Sequence, residues 1–306
     1  MILIDFSNAV LACIHSYDGP ELKKGADQTE TSSVIKHYFF NKVLSDVKKF
    51  KGKFGEVVFC VDGNNYWRKQ KYPWYKGHRK HSRAESDLDW PSIYKAMSEI
   101  ENDLKNYFPY KVIRVEEAEA DDVAAVLCEW AKDNDTMSEG IFDNVSKPVL
   151  ILFEDTDLFQ LQKNKNVKQY SHTMKKFRSP DCRPEHYLLQ HIAEGDSGDN
   201  FPSVLTGDQW SLDRSNGIKP KRQASLIASR KESFILNGRD ECKTDEEKKN
   251  WDRNNELANF EMIPLNIRSK IIDEYLAYKP KGNKATIFNY FAKNKLKKLI
   301  SEIDSF

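Results

Sequence analysis

Val149-Leu150-Ile151-Leu152-Phe153-Glu154-Asp155-Thr156-Asp157 decides how the rest of the chain is read. Five consecutive apolar residues are too few for a buried helix. Ending abruptly in acids, they suit a strand covered on both faces, as in a parallel sheet. Working outward, the pattern recurs. Residues 1–6 hold Ile2-Leu3-Ile4 before Asp5, residues 56–61 hold Val57-Val58-Phe59-Cys60-Val61 before Asp62, and residues 111–115 lead to Glu119-Ala120-Asp121-Asp122. Residues 167–170 suit a fifth strand. Helical spacing fills the gaps: Ile35, Phe39, Val43 and Val47 in residues 31–50, the segment 90–106, and Val123, Val126, Leu127 and Trp130 after Asp121. Strands alternating with helices predict an α/β fold with a mainly parallel central sheet and flanking helices.

Strand signals stop near residue 180. The expectation is an α/β core over 1–180 and a helical part over 181–306. The charged run 230–255 reads as a mobile connection or an exposed helix. The basic, amphipathic end over 285–306 carries Ile287, Phe288, Tyr290 and Phe291 beside Lys293, Lys295, Lys297 and Lys298.

Nine acids fall at the ends of strands or in loops: Asp5, Asp62, Glu119, Asp121, Asp122, Asp155, Asp157, Asp196 and Asp199. Any one could be a turn or a helix cap. Together they point elsewhere, because ligands of open α/β sheets bind outside the carboxyl ends of the strands. Carboxylates converging there cannot all stay ionised unless cations hold them. Oxygen ligands select hard cations such as magnesium or manganese. Pairs of such ions commonly serve phosphodiester hydrolysis.

The formal net charge of +1 hides an uneven distribution. Residues 63–84 contain no acid but hold Arg68, Lys69, Lys71, Lys76, Arg79, Lys80 and Arg83 among Tyr66, Trp67, Tyr72, Trp74 and Tyr75. Cations neutralise phosphates and aromatic faces stack on unpaired bases. The five cysteines show no paired spacing, which argues against disulfides and structural zinc and for a reducing compartment. The apolar N-terminus lacks a basic flank and is broken by Asp5, unlike a signal peptide. No apolar run approaches the ~20 residues of a membrane span. The seven histidines, His191 among them, show no ligand spacing and read as structural or surface residues.

The order Ile4-Asp5-Phe6-Ser7, Val61-Asp62, Glu119-Ala120-Asp121-Asp122, Asp155-Thr156-Asp157 and Gly195-Asp196-Ser197-Gly198-Asp199-Asn200 resembles the flap endonuclease (5′-nuclease) family, and within it the T-even phage ribonuclease H branch. The resemblance extends through Tyr66-Trp67-Arg68, Tyr75-Lys76, Arg79, Asn166-Val167-Lys168-Gln169 and Phe288-Asn289-Tyr290-Phe291. It implies two magnesium ions, with manganese able to substitute. Asp5, Asp62, Asp121 and Asp155 match the positions around the first. Asp157, Asp196, Asp199 and Glu119 match those around the second. Asp122 matches a helix-start or supporting position. Glu154 departs from the small residue common before the Asp-x-Asp pair.

The resemblance also implies an arch over about 63–90, with Tyr66, Trp67, Arg68, Tyr75, Lys76 and Arg79 facing nucleic acid. Lys76 and Arg79 match positions that reach the scissile phosphate, so with Asp121 they are the catalytic candidates. Residues 195–204 and 217–219 resemble a helix–three-turn–helix duplex grip with Lys219, Lys221 and Arg222 on phosphates, interrupted by residues 205–216. The implied protein is a monomeric 5′-to-3′ exonuclease and flap endonuclease acting on RNA–DNA hybrids and branched or flapped duplex DNA. It would clear RNA primers during lagging-strand phage replication in the host cytoplasm, away from membranes. The end over 285–306 would dock a single-strand-binding protein or sliding clamp. Two alternatives stand beside it: a PIN-type ribonuclease and a non-catalytic branched-DNA binder.

Overall fold

Six short strands build the sheet that carries the acids. The computed structural model describes residues 1–17, 19–139 and 142–306. Along the chain the elements are β1 (Ile2–Asp5), α1 (Phe6–Ser16), α2 (Gln28–Phe54), β2 (Val57–Val61), α3 (Trp67–Lys71), α4 (Arg79–Glu85), α5 (Trp90–Tyr107), β3 (Lys111–Arg114) and α6 (Ala120–Asn134). There follow β4 (Thr136–Glu139), β5 (Phe142–Ser146), β6 (Val149–Leu152), β7 (Val167–Ser171) and β8 (Lys176–Arg178). Helices α7 (Pro184–Glu194), α8 (Gln209–Ser215), α9 (Ala228–Asn237), α10 (Asp245–Ala258), α11 (Leu265–Ala277), α12 (Lys284–Lys293) and α13 (Lys297–Ile300) complete it.

All neighbouring strands of this sheet are parallel except β7 and β8. The expected α/β class and mainly parallel sheet are observed. The chain winds outward through β2 and β3 on one side of β1 and through β6 and β7 on the other, so the order reverses between β1 and β6. A crevice opens at the carboxyl ends at such a reversal. The antiparallel pair of β4 and β5 and the edge strand β8 were not anticipated from periodicity.

Strand alternation divides the core into two layers. Ile2, Ile4, Val57, Phe59, Leu150 and Leu152 face α1, α2 and α5, while Leu3, Val58, Cys60, Ile113 and Ile151 face α6 and α11. The C-terminal helices return to the first layer: Ile287, Tyr290 and Phe291 are buried, with Phe291 5.8 Å ring to ring from Phe108. Those three side chains are core, whereas Phe288 is 48% exposed. Similarly, Ile267, Ile271 and Tyr275 of α11 close the second layer. Strands end near residue 180, but the two sheet layers draw on helices from beyond it.

The run 230–255 is neither loose nor wholly exposed. It spans most of α9 and α10, whose Phe234 and Trp251 stack at 5.3 Å in a third cluster with Tyr72, Tyr75, Ile192 and Phe201. That cluster roots the basic segment, which forms α3 and α4 with turns between them. The expected helix–three-turn–helix is not confirmed. The segment 205–216 contains α8, and residues 218–227 up to α9 have no regular structure. Asn200 Nδ2 donates to the Trp74 and Ser211 carbonyls, so α8 braces the basic segment against the Gly195–Asn200 loop.

Candidate metal and nucleic-acid site

Each acid reaches the carboxyl edge for a local reason. Asp5 ends β1 and caps α1, accepting the Asn8 N–H at 2.9 Å. Asp62 follows β2 and accepts from the Ser7 hydroxyl at 2.8 Å and the Ala120 N–H at 2.9 Å. Gly63 comes next because a Cβ there would lie 2.2 Å from the Glu116 carbonyl. Glu119 and Asp122 form the capping box that starts α6, and this start presents Asp121 in the first turn. Asp155 follows β6 and accepts the Asp157 N–H at 2.9 Å. Gly195, at φ 72°, ends α7 and turns the chain into the loop where Asp196 accepts the Asp199 N–H at 3.0 Å.

Asp5, Asp62, Glu119, Asp121 and Asp155 line one cavity of about 690 Å³, and Tyr66, Lys76 and Arg79 line it with them. Among the described residues, Asp5, Asp62, Asp121 and Asp155 make no ion pair. Burial, then the neighbouring Asp62 charge, push Asp5 up to about 7. Burial, then Asp155, push Asp121 well above the usual carboxylate range. Burial, then the Asp157 charge, push Asp155 up to about 7, while the hydrogen bond from the Asp157 N–H works against that shift. This donor set fits hard divalent cations: oxygen atoms converge, and their charges lack a partner.

Glu119 and Asp199 are held differently. Glu119 accepts from Lys76 Nζ at 2.6 Å, Arg68 at 2.9 Å and the Tyr75 hydroxyl at 3.0 Å. Asp199 accepts from the Tyr75 hydroxyl at 2.6 Å and Arg79 at 2.9 Å. Burial opposes ionisation of Asp199, but Lys76 and Arg79 outweigh it and keep its carboxyl below the usual range.

The second set contains a residue the sequence reading passed over. His191, in the last turn of α7, puts Nε2 3.2 Å from Asp157 and 3.8 Å from Asp196. These three side chains offer ligand atoms within 4.8 Å of one another. Burial favours neutral imidazole, but the two carboxylates outweigh it and raise His191 to about 9. Histidine spacing could not flag it, because its partners come from the segment after β6 and the loop after α7. Glu154 turns away, accepting from the Ser171 hydroxyl and the His172 and Thr173 N–H groups.

Three residues expected to face nucleic acid do not. Trp67 is buried and donates Nε1–H to Asp122 at 3.1 Å. Arg68 is 2% exposed and donates to Glu119, Asp122 and, at 2.7 Å, the Leu257 carbonyl. Tyr75, 2% exposed, supports Glu119 and Asp199. An amphipathic ring or a guanidinium in a basic run resembles a base or phosphate contact, yet here the carboxylates recruited all three inward. Half-buried Tyr66 still lines the trough, and Lys76 and Arg79 reach the acids. Lys219, Lys221 and Arg222 are exposed and make no ion pair among the described residues.

A mostly parallel sheet, converging carboxylates and facing cations define a metal-assisted nuclease scaffold. The family described as 5′-3′ exonuclease, N-terminal resolvase-like domain, matches residues 1–187, and T4 RNase H, C terminal, matches residues 182–306. The chain belongs to the 5′-3′ exonuclease family, also known as the flap endonuclease or 5′-nuclease family. Its relative, the ribonuclease H of Enterobacteria phage T4, is 31% identical over 99% of this chain and 95% of that protein. The fold is shared with the bacteriophage T5 flap endonuclease, solved as a pseudo-enzyme–product complex with DNA and metal ions (TM-score 0.54, 14% identity, 99% and 98% coverage). It is shared too with the T5 5′-exonuclease bound to zinc (TM-score 0.53, 14% identity, the same coverage).

Proposed function

We propose that this protein is a magnesium-dependent 5′-nuclease, an exonuclease and flap endonuclease that hydrolyses RNA primers and adjacent DNA at 5′ ends during lagging-strand phage replication. The observation that carries the reading is the trough in which Asp5, Asp62, Asp121 and Asp155 meet without a counter-ion, beside Lys76 and Arg79. The ribonuclease part of the reading is supported by the full-length similarity to the T4 ribonuclease H.

Asp5, Asp62, Asp121 and Asp155 would hold one ion, and Asp157 and Asp196, with Glu119 and Asp199, the other; manganese suits the same oxygens. When bound, such ions neutralise phosphate charge and activate water. The chain's own residues do the rest. Lys76 and Arg79, anchored on Glu119 and Asp199, present donors to the phosphate and stabilise the charge that develops on it. Tyr75 and Arg68 fix those two carboxylates. No side-chain nucleophile is required. Exposed Lys219, Lys221 and Arg222 hold the duplex backbone by charge.

The test is a 5′-labelled flap and an RNA–DNA primer hybrid incubated with magnesium or with EDTA. Magnesium-dependent release of short 5′ products from both supports the reading. Binding without cleavage in magnesium and manganese would overturn it in favour of a branched-DNA binder.

A further inference from the structure

The acids of the site offer only oxygen, but the group around Asp157 also offers a nitrogen. The His191 ring, in the last turn of α7, is fixed from two sides. Tyr187, one turn earlier, stacks on it with ring centres 6.1 Å apart and planes tilted by 8°. Phe201 meets it edge-on at 6.0 Å. Held this way, Nε2 is buried and forms no hydrogen bond, although Asp157 Oδ1 is 3.2 Å away and Asp196 Oδ2 3.8 Å. A buried polar atom without a partner is costly and calls for one. Bonds of about 2.1 Å from one ion to nitrogen and oxygen put two ligand atoms about 3.0 Å apart at right angles, about 3.4 Å at the tetrahedral angle and about 4.2 Å across the ion. Both observed separations fall inside that span.

Imidazole suits zinc, copper, iron and nickel, whereas sites of oxygen alone suit magnesium and manganese. Asp5, Asp62, Asp121 and Asp155 form a set of oxygen alone. We propose that His191 is a nitrogen ligand of the second ion, beside Asp157 and Asp196, and that this half of the site prefers a borderline ion such as zinc to magnesium. The proposal rests on reading Asp157 and Asp196 as ligands of that ion. It divides the paired site into a hard half and a softer one. Magnesium in excess fills both halves, so magnesium-dependent cleavage and this preference are compatible.

The ion-free full chain, with isotope-labelled histidine, is titrated with zinc chloride alone and followed by proton–nitrogen NMR. The His191 ring, assigned through its contact with Phe201, should move at Nε2 to a metal-bound position within the first two equivalents. Competition with a chromophoric chelator gives the zinc affinity, and calorimetry gives the magnesium affinity. His191→Gln removes both the nitrogen ligand and the positive charge the ring can carry, whereas His191→Lys keeps a charge without offering imidazole. The ratio of zinc to magnesium affinity should fall at least about tenfold in both, the lower end of what losing even a ligand's supporting partner costs. A charge effect acts on both ions alike and leaves that ratio unchanged. A ring unmoved through two equivalents, or a ratio unchanged in His191→Gln, overturns the proposal and leaves His191 as a counter-charge for the two carboxylates. If neither variant folds, the wild-type titration decides. Neither measurement involves DNA or turnover, so failure of magnesium-dependent cleavage would sink the nuclease reading separately.

Discussion

Arg68 offers the sharpest test of how the site is built. Its guanidinium is 2% exposed, and its two carboxylate partners, Glu119 and Asp122, are 2% and 0% exposed. Burial disfavours its charge, but Asp122 outweighs that and holds it firmly protonated. Arg68→Met would leave Asp122 buried with only the Trp67 indole and the Glu119 N–H as donors. Glu119 would keep Lys76 and Tyr75. Removing one partner of a buried pair costs about 3–5 kcal/mol. At an unfolding entropy of about 2.1 cal/mol/K per residue, 306 residues give about 0.64 kcal/mol/K, so Tm should fall by about 5–8 °C. Adding Asp122→Asn should cost less than the sum of the single changes, with a coupling of ~1–3 kcal/mol. Differential scanning calorimetry of the four proteins measures both quantities. Duplex binding by Arg68→Met, measured well below its Tm, should keep the wild-type salt dependence. A Tm within 1 °C of wild type, additive energies, or a salt slope reduced by about 1 would refute the structural role and return Arg68 to the nucleic-acid surface.

Asp121→Asn should abolish single-turnover cleavage while duplex binding persists; activity within about tenfold of wild type would contradict its place in the metal site. Asp5 titrates near 7 in the ion-free protein against an ordinary 3.8, so the folded state binds the extra proton, and stability falls as pH rises through that window. Millimolar magnesium should therefore raise Tm more at pH 8 than at pH 5, and a Tm indifferent to magnesium at both values would count against converging carboxylates. Lys76→Ala should lower the single-turnover rate by roughly 10²-fold with little change in affinity, whereas Lys219→Ala or Lys221→Ala should weaken binding and flatten its salt slope by about 1. If Lys76→Ala altered affinity alone, the basic segment would be only an electrostatic guide. Phe291→Ala should cost about 3–5 kcal/mol in denaturant unfolding, and truncation after Lys284 should fail to fold; a stable truncated protein would restore the tail as a docking element.

Local pattern settled the strand-and-helix alternation, the parallel sheet and the set of acids. Strands buried on both faces must be short apolar runs, and Asp5, Asp62 and Asp155 each stand where such a run stops. Contacts across the chain decided the rest. An arginine in a basic loop looks the same whether it meets phosphate or, like Arg68, folds under the loop to Asp122, 54 residues away. His191 joined Asp157 only because α7 packs beside the segment that follows β6. Phe291 looked free for a partner until Phe40 and Phe108 enclosed it. Trp90, Tyr94, Met97 and Glu101 of α5 became trough wall because the fold sets them in one cavity with Asp5 and Asp155. Periodicity reports which side of an element is apolar; the identity of a buried charge's partner depends on which distant segments the hydrophobic layers bring together.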